Sequence, residues 1–213
     1  MGFINTIRRI HSPQATQTMD SHSRFLSTRL EHGGSLRELV ALRQDGGVAP
    51  HQILSQAASN PSPIARSLLL LNDTTPDVVV AYHAKYDTSE IVKILAAAII
   101  DKTPLGQVID IPGISNRDRV ELMFVLAIDG YHHLNEISDN SNKAYTELMA
   151  AQDNDLEIGK QVTQMKGATV AIDERKERLE HVIIELAQIL NTWGSSSSLD
   201  SMADLTRAVQ EVS

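Results

Sequence analysis

The sequence contains no cysteine. Disulfides, thiolate metal sites and a cysteine nucleophile are thereby excluded, and the composition suits a reducing compartment. Aromatic residues make up 4% of the chain, so a core has to be filled by Leu, Ile, Val and Ala. Long apolar runs are missing as well. The longest, Ile94 to Ile100 and Leu122 to Ile128, have seven residues each, against the ~20 that cross a bilayer. Positive charge is scarce: 19 Lys and Arg stand against 27 Asp and Glu, a net charge of −8, which argues against a general nucleic-acid coat. No secretory leader is read in the first residues. Phosphate-binding glycine loops, a Gly-x-Ser-x-Gly elbow and a His-Glu-x-x-His zinc motif are all lacking. No repeat of 20–50 residues is visible, which excludes a solenoid.

What is present is a foldable composition with 42% hydrophobic residues over 213 positions. Charge is unevenly placed. Residues 1–44 carry Arg8, Arg9, Arg24, Arg29, Arg37 and Arg43 against Asp20, Glu31 and Glu38, giving +3, so the remainder carries −11. Such asymmetry suits contacts between copies or with an anionic surface. Within that basic end, Phe3, Ile4, Ile7 and Ile10 fall on one helical stripe beside Arg8 and Arg9, an amphipathic segment suited to docking on a membrane surface or a subunit. Met1-Gly2 with Thr6 matches the short acylation pattern at Gly2, but Phe3 beside the glycine speaks against it and no lipid is assigned. Residues 12–18 read as a linker.

Helical signals follow in series. Helices are expected over 19–31, from Ser35 (with Glu38 as its capping-box partner) to Asp45, over 50–58, 64–71 and 88–101, and over 116–137 behind a Ser115–Asp118 cap. Val78-Val79-Val80 is the best strand candidate, though a buried helix fits almost as well. Residues 103–114 read as a loop with at most one short strand.

Beyond Ser141 the pattern becomes heptad. With Asp155 at position a, the d positions are Ala144, Ala151, Ile158, Met165, Ile172, Leu179, Leu186 and Trp193, all apolar. The a positions include Val162, Ile183 and Leu190, but also the polar Asp155, Thr169 and Lys176. As one helix this seam would run roughly 75 Å, more than a small domain covers, so on length a second chain is expected over it in preference to the alternative, a hairpin folded back on the 116–137 helix. The expected oligomer interface is Ile158, Val162, Met165, Ile172, Leu179, Ile183, Leu186, Leu190 and Trp193. In a parallel pair Arg175 would face Glu180 of the next copy.

One cluster invites a chemical reading. Asp129 and His133, and His132 and Glu136, are spaced i, i+4 on the 116–137 helix, as metal ligands often are. Each face offers two ligands and His83 would have to supply a third, so no metal, cofactor or catalytic residue is assigned.

The expected fold is mainly α with at most a minor strand pair. It comprises an N-terminal arm and linker (1–18), a helical domain (19–140), a long oligomerising helix (141–193), and a Gly/Ser hinge with a short C-terminal helix (194–213). This suits a non-enzymatic assembly protein that associates with copies of itself and with other assembly proteins, as virion, phage-particle and scaffold components do. Two alternatives share the pattern. One is a peripheral membrane or matrix-like layer held by residues 1–10. The other is a helical adaptor or chaperone using the 182–193 face as a groove for a partner helix. The expected location is the cytoplasm or a virus or phage particle.

Overall fold

Three serines show how the helices start. Ser62 precedes Pro63, whose fixed φ suits a first helical position, and its Oγ accepts from the Ala65 N–H at 3.3 Å. Ser115 accepts from the Asp118 N–H at 3.1 Å while its hydroxyl donates to the Asp118 carboxylate, the reciprocal cap expected from the sequence. Ser89 makes no side-chain cap. There Asp87 accepts from the Ser89 N–H at 2.8 Å instead, so the helix starts two residues later than its sequence spacing predicts.

The computed structural model describes residues 29–30, 34–44, 58–150, 156–193 and 202–210. Two strands of two residues each, β1 (Arg29–Leu30) and β2 (Gly34–Ser35), pair antiparallel. They lead into α1 (Leu36–Gln44), α2 (Pro63–Leu70), α3 (Asp77–Tyr86) and α4 (Glu90–Asp101). A 3₁₀ helix (Leu105–Asp110) precedes the long α5 (Asn116–Ala150) and α6 (Leu156–Asn191), and α7 (Met202–Gln210) follows. The fold is therefore mainly α, as composition and periodicity imply. The expected helices over 19–31 and 50–58 fall largely outside the described residues, as does the arm with Phe3, Ile4, Ile7 and Ile10, and at Arg29–Leu30 the expected helix is corrected to a strand paired with β2.

α5 is central. From Leu122 to His132 every residue is buried, the pattern of a helix enclosed on all sides. Packed around it are α1, α2, α4, the 3₁₀ helix, α6 and α7. α3 packs on α4, using Val79, Val80 and His83 while Val78 faces outward. Here the strand expectation is corrected. Burial of one helical face outweighs the modest β preference of three valines. Val108 and Ile109 are buried on the 3₁₀ helix rather than on a strand.

α4 ends in a left-handed cap. Lys102 has φ +54°, and the Thr103 N–H reaches back to the Ala98 carbonyl at 2.9 Å. This is the wrapped ending usually given to glycine.

Candidate interaction site

The heptad ridge has a partner, and the partner is α5. Three cross-helix contacts fix an antiparallel pairing. Tyr131 donates to Glu180 at 3.1 Å, Ser138 donates to Asp173 at 3.2 Å, and Ser141 lies 2.9 Å from Thr169. Residue numbers fall along α5 as they rise along α6. The sequence argument from length is thereby corrected. Ala144 and Leu148 lie on α5 and the later heptads on α6, so the seam is two helices facing each other rather than one 75 Å rod.

This pairing also explains the polar a positions. Thr169 donates to the Met165 carbonyl at 3.0 Å, which leaves its oxygen to accept from Ser141. The Lys176 ammonium sits 5.6 Å from the centre of the Tyr131 ring, a cation–π arrangement. Glu180 is buried and receives the Tyr131 hydroxyl, and Arg175 is exposed. The expected Arg175–Glu180 contact between copies is therefore replaced by one inside the subunit. Burial, with the Glu180 charge beside it, pushes the Tyr131 phenol well above its ordinary range.

The hairpin has two unlike halves. At its base Leu179, Ile183, Leu186, Ala187 and Ile189 are buried, with Leu190 and Trp193 partly so, against α5 and α7. α7 contributes Leu205 and Val209, and Gln210 donates to Asp110 at 2.9 Å. Along the 182–193 face, Ile183, Leu186, Ala187 and Ile189 are covered by the chain itself, and Val182, Leu190 and Trp193 are partly covered. Leu179, Ile183 and Leu186 are likewise occupied inside the subunit. Ile172 marks the edge of the continuous core.

Beyond it, among the described residues, the hairpin becomes an arm of two helices. Ala144, Tyr145 and Leu148 on α5 and Val162 and Met165 on α6 are half-buried. Ile137 is 50% exposed and shares a stripe with Ala144 and Leu148 at seven- and four-residue spacing. The side chain of Ile158 lies outside the described residues.

The arm's charges are also segregated. Between Gly159 and Ile172, α6 carries Lys160 and Lys166 and no acid, whereas the facing part of α5 carries Asp139, Lys143 and Glu147.

The histidines lie elsewhere. Asp129 is held by the buried Arg43 guanidinium, reaching across from α1, so it is engaged with a cation. His132 and His133 approach Glu136 at 3.4 and 3.5 Å. Burial, and the positive charge of Arg43, push the His132 imidazole below its ordinary range against the opposing pull of Glu136 and Asp129. His83 is 2% exposed and pairs through Nδ1 with Asp87 at 2.6 Å. Arg66 grips both oxygens of Asp87 at 3.0 and 2.8 Å and donates to the Asn60 carbonyl at 2.7 Å. Burial alone would raise the Asp87 pKa, but the bonds from Arg66, the Ser89 N–H and His83 prevail and lower it. This cluster ties α2 to α3. Among the described residues no three His, Asp or Glu converge as a metal would require, and no described helix is long and apolar enough to cross a membrane. The long-range pairs Arg43–Asp129 and Arg66–Asp87 have no signal in sequence spacing.

Comparison with protein-family models, curated proteins and solved structures finds no significant match to this chain. The class it defines is set by its geometry alone: a helical domain wrapped around one buried helix, from which an antiparallel hairpin projects.

Proposed function

We propose that this chain is a non-enzymatic assembly protein, of the kind that builds particles and scaffolds, and that it associates with copies of itself through the projecting arm. The observation that carries this reading is the contrast along one hairpin. Leu179, Ile183, Leu186 and Ala187 at its base are buried, while Ala144, Tyr145, Leu148, Val162 and Met165 are only half-covered about three to five turns away. A two-helix arm cannot enclose its own seam, and a second pair of helices can.

Completing the burial of these side chains and Ile137 is worth roughly 0.5–1 kcal/mol apiece. For two copies that is on the order of 10 kcal/mol, comparable with the estimated 4–15 kcal/mol cost of association. A concentration-dependent oligomer follows, not a permanently fused one. A two-fold arrangement that sets α5 of one copy beside α6 of the other brings Asp139 and Glu147 toward Lys160 and Lys166, a self-complementary contact.

Sedimentation and X-ray scattering over a micromolar concentration series test this reading. The expected result is a rising mass with an elongated shape. A monomer throughout the series would refute it.

A further inference from the structure

α3 carries an exposed ridge that faces away from the core of the described residues. Val78, Tyr82 and Tyr86, spaced i, i+4, i+8, are 66%, 52% and 60% exposed. The ridge holds two of the four tyrosines of an aromatic-poor chain. The Tyr82 and Tyr86 rings lie 5.3 Å apart, forming one continuous face about 12 Å long over eight residues of helix. Lys85 already stands 5.1 Å over the Tyr86 ring, so this face accepts cations. At its N-terminal end lie two acids, Asp77, which is exposed, and Asp73, whose side chain is 84% exposed.

We propose that this ridge is the docking surface for residues 3–10 of the same chain. The match is chemical. Phe3, Ile4, Ile7 and Ile10 provide an apolar stripe about 10 Å long in helical form, and Arg8 and Arg9 supply guanidinium groups for the tyrosine faces and for Asp73 and Asp77. The match also holds in sign, because the basic first fifth of the sequence meets part of the acidic remainder.

Reach permits it. Eighteen residues separate Ile10 from Arg29. Even with 19–28 in the helix expected from their sequence, they span about 40 Å. The way from β1 to α3 is shorter. α1 follows β2 directly and is about 13 Å long, and its C-terminal end is tied to the turn before α3. There Asn72 donates to the Leu42 carbonyl at 3.1 Å, and Arg43 lies 3.7 Å from Asp73. A tether of this length gives a millimolar effective concentration, which is why the chain's own segment is the occupant and not that of a second copy. The proposal is independent of the arm.

Absence of cysteine makes the test clean. Ile7→Cys and Tyr82→Cys are placed in one full-length chain and oxidised mildly at low concentration. The control pairs Ile7→Cys with Gln164→Cys, an exposed position on α6. The expected result is an intramolecular disulfide forming about tenfold faster than in the control, as the effective concentration requires. Equal rates for the two pairs overturn the proposal. So does cross-linking only between chains, which assigns the ridge to a second copy's segment. A second readout uses native side chains. Ile4→Asp with Ile7→Asp should increase nitration of Tyr82 and Tyr86 several-fold, and unchanged nitration also overturns the proposal.

Discussion

Lys102 sits in the left-handed region, with φ +54°, at the end of α4. A side chain there costs roughly 1 kcal/mol that glycine does not pay. Lys102→Gly should therefore raise stability by about 0.5–1 kcal/mol, read as a higher denaturation midpoint with an unchanged slope in urea. A second residue-scale expectation concerns His132. Its folded-state pKa lies below the ordinary 6.5 because burial and Arg43 disfavour the imidazolium. The unfolded chain then binds more protons just below that value, so stability rises with pH across this window. It is complete above about 6.5 and is lost as pH falls toward the lowered folded pKa. Urea titrations from pH 7.5 to 5 should show this loss, and His132→Gln should flatten it. Asp87 acts in a lower window. Its stabilisation is present above the ordinary 3.8 and disappears as pH falls through its depressed folded pKa, a component that Asp87→Asn should remove.

At the scale of elements, the arm is where helix propensity matters most, because packing there is thin. Gly167 lies exposed within α6, and a Cβ added to it meets nothing within 4 Å. Gly167→Ala should stabilise the arm by about 1 kcal/mol, seen as slower amide hydrogen exchange over Val162 to Ile172 and little change in the base. Elements also show what a single sequence can express. Caps at Ser62 and Ser115 are local, and the chemistry of three or four residues suffices to read them. The heptad period is local too, so the ridge was legible. Its partner is legible only as a choice between a second chain and the 116–137 helix, because a repeat records that a face is covered without recording by what. The sequence predicts an end to α5 near 137, since Asn135, Ser138, Asp139, Asn140, Ser141 and Asn142 are poor helix formers. Pairing of Ser138 and Ser141 with Asp173 and Thr169 carries the helix through that run to Ala150. Arg43 and Asp129, 86 residues apart, meet only because the fold brings α1 to the middle of α5.

At the scale of the molecule, charge gives a test of the proposed association along the arm that leaves the subunit intact. Asp139, Glu147, Lys160 and Lys166 are all exposed, so reversing them should change subunit stability by no more than about 0.5 kcal/mol per site. In the proposed two-fold contact, Lys160→Glu with Lys166→Glu sets like charges across both halves of the interface. At low salt this should weaken association about tenfold, from a few tenths of a kcal/mol at each of several symmetry-related pairs. Asp139→Lys with Glu147→Lys should weaken it similarly. Mixing the two variants restores opposite signs in both halves of a mixed dimer, and placing all four changes in one chain does the same for a dimer of identical copies. The fourfold variant should therefore recover wild-type association by sedimentation, with the gain shrinking as salt rises toward physiological strength. Recovery marks pairing of α5 with α6 across the axis. Equal association of every variant at low salt would show that the arm's charges do not face one another and would remove this arrangement.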